Sequence, residues 1–99
     1  MNIQETSVAG TMESSDIMIT LSPRPEPGYE IELASTVLKQ FGSKIREEIE
    51  KTLSDMDVPG AMVKAVDKGA LDCTIRARVR AAVCRAAGAK TFAWEGERT

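Results

Sequence analysis

The chain has 99 residues, 42 % of them apolar and 28 % charged, with a formal charge of −2; that is one globular domain, with no room for a second hydrophobic core. The acidic balance gives no global basic field to hold nucleic acid or an anionic membrane. There is no histidine and there are only two cysteines, which excludes Ser–His and Cys–His nucleophile pairs and a self-contained zinc site, and argues against a stand-alone enzyme.

The N-terminal Met1-Asn2-Ile3-Gln4-Glu5-Thr6 lacks a basic stretch followed by an apolar one, so no signal peptide is expected. No segment approaches the roughly 20 apolar residues that span a bilayer. A cytoplasmic location follows as the expectation, with Cys73 and Cys84 reduced. Ser7 to Met12 reads as a weak strand loosened by Gly10. Asp16 to Leu21 is a stronger one, because Ile17, Ile19 and Leu21 alternate with Met18 and Thr20. Between them the polar Glu13-Ser14-Ser15 suits a tight turn, and a hairpin with its tip near Ser14 is predicted. The alternate prolines of Ser22-Pro23-Arg24-Pro25-Glu26-Pro27-Gly28 forbid helix and predict a connection. Tyr29, Ile31 and Leu33 then alternate with Glu30 and Glu32, the pattern of a strand with one buried and one wet face.

Helical spacing follows. Leu38, Phe41, Ile45, Ile49 and Leu53 recur every three or four residues. Ser35 or Ser43 would cap this helix, Glu47 and Lys51 would pair across one turn, and Val58-Pro59-Gly60 would end it. Ala61 to Val66 reads as a fourth strand and Asp67-Lys68-Gly69 as a turn. A second helix is predicted over 70–87, stopped by Gly88, and the tail Thr91-Phe92-Ala93-Trp94 is expected to lay its aromatics on the body. The order β-β-β-α-β-α predicts an α+β domain over residues 1–99. A small, mostly antiparallel sheet of about four strands would carry both helices on one face.

On the second helix, at about 100° per residue, Ile75, Val79, Ala82, Val83 and Ala86 fall with Leu71 on one apolar arc. Arg76 and Arg80 lie on one rim of it, Arg78 and Arg85 on the other. These arginines either cover the core edge with their stems or contact phosphates and carboxylates of an arm or a partner. Cys73 and Cys84 lie away from the core, about 16 Å apart along the axis, too far for a disulfide, which needs Cα atoms within roughly 7 Å. Glu13-Ser14-Ser15-Asp16 has two meanings: polar turn residues, or an exposed Ser14 hydroxyl that another protein modifies. With no histidine to take its proton, Ser14 cannot activate itself.

Ala9-Gly10-Thr11-Met12-Glu13-Ser14-Ser15-Asp16 closely resembles the A-G-T-[LM]-E-S-[SG]-D segment of the citrate lyase acyl carrier protein (gamma subunit) family. Asp67-Lys68-Gly69-Ala70-Leu71-Asp72-Cys73, Arg76-Ala77-Arg78-Val79, Lys39-Gln40-Phe41-Gly42 and the ending around Trp94-Glu95 also resemble it, so the likeness spans nearly the whole chain. The resemblance implies that Ser14 carries 2′-(5″-triphosphoribosyl)-3′-dephospho-coenzyme A through a phosphodiester bond, with no metal and no catalytic side chain on this chain. It implies an acetylated thiol at the end of the arm. An alpha subunit (acyl transferase) would exchange acetyl for citrate, and a beta subunit (citryl lyase) with a divalent metal would release oxaloacetate. It further implies a holo-carrier synthase that attaches the arm and an acetylating ligase, with no nucleic-acid or membrane partner. Glu13, Ser15 and Asp16 would help the modifying enzyme recognise the turn, and Arg76, Arg78, Arg80 or Arg85 would steady the arm's phosphates or dock a partner. Two other readings remain: the carrier subunit of malonate decarboxylase, which uses the same kind of arm, and an unmodified assembly or anion-binding module working through the arginine helix.

Overall fold

The computed structural model describes residues 1–35 and 38–88. Strands β1 (Ser7–Ala9), β2 (Ile17–Ser22) and β3 (Gly28–Ser35) precede helix α1 (Leu38–Asp55), strand β4 (Gly60–Asp67) and helix α2 (Asp72–Ala86). The predicted α+β order is the observed one. The strands form one sheet in the order β1-β2-β4-β3. β2 runs antiparallel to β1 and to β4, whereas β3 and β4 are parallel over eight residue pairs. The sheet is therefore mixed. The reason is topological: α1 is a crossover that returns the chain to the same end of the sheet, and such a connection joins parallel neighbours.

Both helices pack on one face: α2 on β1 and β2, α1 on β3, and the two helices on each other. The inward residues of β2, Ile17, Ile19 and Leu21, are fully buried. Pairing sets Ile19 opposite Ala9 and Ala65, so a large side chain is flanked by two small ones in the layer beneath α2. Ile75, Val79, Ala82, Val83 and Ala86 are the buried side of α2, the arc that periodicity predicts. Leu71 departs from it: it stands just before the helix and is 69 % exposed.

The first helix differs in three details. Its buried line runs through Gly42, Ile45, Ile49, Thr52 and Leu53, so Phe41 lies a step to the side and is largely exposed, lining an open groove with Leu71. The helix ends before Val58-Pro59-Gly60. Asp57 adopts φ 57°, its N–H bonds the Ser54 carbonyl, and the Val58 N–H reaches back to the Leu53 carbonyl. This paired closure uses up the last carbonyls, with Asp57 where glycine is usual. Lys51 pairs with Asp55, not Glu47, at 3.5 Å; both are exposed, and such a pair contributes little. β3 lies at the sheet edge, which leaves its inward residues Tyr29, Ile31 and Leu33 only half-buried. Tyr29 donates its hydroxyl to the Val58 carbonyl at 2.6 Å. The strand expected over Ser7 to Met12 stops at Ala9, where Gly10 turns away with φ 96°. Gly88 has φ 66° just past α2, the predicted stop. The aromatic tail lies outside the described residues.

Candidate functional site

The β1–β2 register pairs Ser7 with Leu21, Val8 with Thr20 and Ala9 with Ile19, which makes residue 14 the midpoint of the hairpin. Its loop is built inward from both ends. At Gly10 an added Cβ would collide with the Ile17 carbonyl oxygen, so only glycine permits the backbone crossing. Gly10→Ala is expected to cost roughly 1–3 kcal/mol from the backbone conformation alone, with more from displacement of Ile17; urea unfolding of the purified variant measures it.

Beyond Gly10, the Thr11 hydroxyl accepts the Glu13 N–H at 3.2 Å. The Asp16 N–H donates to the Glu13 carbonyl at 3.2 Å, closing a four-residue turn with Ser14 and Ser15 at its centre. Ser15 has φ 65°, the positive value that a type II turn requires at its third residue. The Ser15 N–H donates to the Lys68 carbonyl and the Lys68 N–H to the Asp16 carbonyl, each at 2.8 Å. The tip is thereby stitched to the β4–α2 turn. That turn is itself held by buried Asp67, whose carboxylate accepts from the Gly69 and Ala70 N–H groups and from the Ser35 hydroxyl.

Asp16 is the centre of the loop. It is buried, and its carboxylate accepts four hydrogen bonds: from the Thr11 hydroxyl at 2.7 Å, the Ile17 N–H at 2.7 Å, and Arg78 Nε and Nη2 at 3.0 and 2.9 Å. The two-pronged Arg78 contact, then Thr11, hold the Asp16 carboxyl well below the usual carboxylate range despite its burial. A lowered folded value means that Asp16 stabilises the fold fully above its unfolded pKa, about 3.9, and that this contribution is lost as pH falls below it. The unfolding free energies of the native chain and of Asp16→Asn are therefore expected to keep a constant gap from pH 7 to about pH 5 and to converge below about pH 4. A denaturant series across pH reads this directly.

Ser14 itself is exposed, and its hydroxyl has no partner among the described residues. Glu13 and Ser15 are exposed beside it, whereas Asp16 faces inward. The arginine helix divides as its two rims predict. Arg76 turns to α1 and bonds Glu48 at 3.1 Å; Arg78 and Arg85 turn to the hairpin, holding Asp16 and the Val8 carbonyl. Arg80 is exposed without a partner among the described residues. Both cysteines are free, and burial pushes the Cys84 thiol up, away from the reactive thiolate. Among the described residues, no cluster of acids and cysteines could hold a metal, and no helix is long and apolar enough to cross a membrane.

A family model described as malonate decarboxylase delta subunit (MdcD) matches residues 4–86. The citrate lyase acyl carrier protein of Streptococcus uberis is 57 % identical over 95 residues, covering 96 % of this chain and 93 % of that protein. Its counterpart in Streptococcus pyogenes serotype M4 is 56 % identical over the same span. The chain belongs to the citrate lyase acyl carrier protein family.

For this acyl carrier the fold has a solved parallel. A chain of a Pseudomonas malonate decarboxylase hetero-tetramer, crystallised with malonate, superposes with a TM-score of 0.65 at 20 % identity, covering 84 % of each chain. An acyl carrier implies a covalently attached prosthetic arm. On the hairpin turn the Ser14 and Ser15 hydroxyls are exposed and have no partner among the described residues, with Ser14 at the midpoint and the Ser15 amide tied to Lys68. The Asp16–Arg78 contact, 62 residues apart in the chain, leaves no local sequence signal beyond the rim on which Arg78 falls.

Proposed function

We propose that this acyl carrier is the gamma subunit of a citrate lyase, and that Ser14 is the residue to which a 2′-(5″-triphosphoribosyl)-3′-dephospho-coenzyme A donor attaches the arm. The observation that carries this reading is the free, exposed Ser14 hydroxyl at the apex of a turn whose backbone is fastened by the Asp16–Glu13 and Ser15–Lys68 hydrogen bonds. Attachment from a triphosphate as a phosphodiester forms the Ser14 Oγ–phosphorus bond and breaks the bond to the departing pyrophosphate. The hydroxyl proton must go to a base of the synthase. This chain has no histidine, and the lone pairs of Asp16, the nearest buried carboxylate, are already committed to Arg78, Thr11 and Ile17. The bound arm supplies the terminal thiol on which acyl groups are held.

The chain's own part is to anchor and present. Tethering raises the effective concentration of the acyl group at successive sites, here those of an alpha (acyl transferase) and a beta (citryl lyase) subunit. A holo-carrier synthase and an acetylating ligase complete the set of partners. Glu13 and Ser15, exposed beside Ser14, are the side chains available for recognition by the synthase. Arg80 is the arginine left to meet the arm's phosphates or a partner. A cytoplasmic setting suits free cysteines.

Intact mass of the protein purified from cells growing on citrate, with the modified peptide mapped, tests the reading. One large adduct on the Ser14 peptide is expected; a bare polypeptide overturns it. The malonate decarboxylase reading has support in the family model and the shared fold, but identity of 56–57 % over nearly the whole chain favours the citrate carriers. Exchange of malonyl without citrate-driven exchange on the loaded protein would reverse the choice.

A further inference from the structure

The bonding around Ser14 is closer than a swinging tether needs. Once the arm is attached, the reacting thiol lies many rotatable bonds from the protein, and the attitude of the Ser14 turn hardly constrains it. The attitude matters in the one step where the Ser14 oxygen is itself the reacting atom, because in-line attack on phosphorus requires the hydroxyl at a fixed place in the synthase. The loop is organised for that step. Gly10 and Ser15 hold conformations that most residues avoid, the Ser15 and Lys68 amides fasten the tip to the β4–α2 turn, and Asp16 gathers Thr11, Ile17 and both prongs of Arg78.

We propose that Arg78 and Asp16 form a latch that presents Ser14 for loading, with Arg78 a positioning residue for attachment of the arm and not for acyl transfer afterwards. The inference rests on the proposed attachment at Ser14. Arg78 sits on α2 and does not touch Ser14; it acts through Asp16, two residues away in the turn. Opening the latch leaves the sheet and helices in place but spreads the turn over several conformations, of which only a fraction fits the synthase. A fractional population of the competent state raises apparent KM in proportion and leaves kcat largely unchanged.

The experiment uses the full chain with Arg78→Lys, which keeps the charge and loses the two-pronged grip, and Asp16→Asn. Circular dichroism confirms the fold, and amide exchange over residues 11–16 reports the turn. Loading by holo-carrier synthase and its triphosphoribosyl-dephospho-coenzyme A donor is followed by intact mass at several carrier concentrations. The expected result is a loss of roughly tenfold to a hundredfold in loading kcat/KM, carried by KM, with faster exchange confined to the turn. The double variant should be no worse than the worse single one, because both open the same contact. Variants driven to full loading should then turn over with alpha and beta subunits at the native rate.

Thr11→Ala, at an exposed position, gives a smaller loss of the same kind and carries the test if the buried changes prevent folding. Folded variants loaded with native KM overturn the latch, as does a turnover loss matching the loading loss. A native chain that takes no adduct on Ser14 in the same assay overturns the carrier reading instead, so the two failures are distinct.

Discussion

Ser14→Ala is expected to remain folded and to accept no arm. The side chain is exposed and makes no hydrogen bond among the described residues, so its removal should change stability by no more than about 0.5 kcal/mol. The bonds that shape the turn come from neighbours: the Asp16 and Ser15 amides and the Thr11 hydroxyl. All survive the substitution. The effect on function is complete because the deleted oxygen is the proposed attachment atom. Neighbouring Ser15 does not replace it, since its backbone is held in a different conformation and its amide is tied to Lys68. Intact mass after incubation with synthase and donor should show the bare polypeptide, beside a native melting curve. Marked unfolding would make Ser14 a structural residue.

Ile19→Ala is expected to have the largest effect on stability. Ile19 is fully buried in β2 between Ala9 and Ala65. Its two cross-strand neighbours are already the smallest apolar side chains, so they cannot grow into the space left, and α2 above is held at both rims by its arginines. A cavity that cannot collapse puts the cost toward the upper part of the usual range, about 2–5 kcal/mol. For a domain of this size that lowers Tm by roughly 10–30 °C, a large share of the total stability of such chains. Denaturant unfolding should show a lower midpoint with an unchanged slope.

Local patterns in the chain are strong enough to read most elements. The alternation of Ile17, Ile19 and Leu21 gives β2, and the spacing of Ile75, Val79, Ala82, Val83 and Ala86 gives the buried side of α2. Polar residues between two strands place the hairpin tip at Ser14, the midpoint that the register shows. Strand neighbours are another matter. The run from Ala61 to Val66 announces a strand, but nothing in it says that β4 inserts between β2 and β3. Phe41 keeps helical spacing with Ile45 yet is exposed, because Gly42 occupies the adjoining buried position. In the site, Ser14 is indistinguishable by composition from any polar turn; the family resemblance singles it out. Asp16 reads as one more acid on a wet tip, whereas its carboxylate is the buried partner of Arg78. That pairing depends on how α2 lies across the hairpin, which only the folded sheet determines.

The same connections set an order of events during synthesis. The turn takes its shape from Lys68 and Arg78, which follow it by half the sequence or more, and β2 is completed by β4, about half the sequence later. Pairings over such separations form late. A chain in which α2 is still unformed has Ser14 but lacks the Arg78 contact that shapes the turn around it, and under the proposed latch it would be a poor acceptor for the synthase. On that proposal attachment of the arm would be gated by the formation of α2, and incompletely folded chains would be loaded slowly.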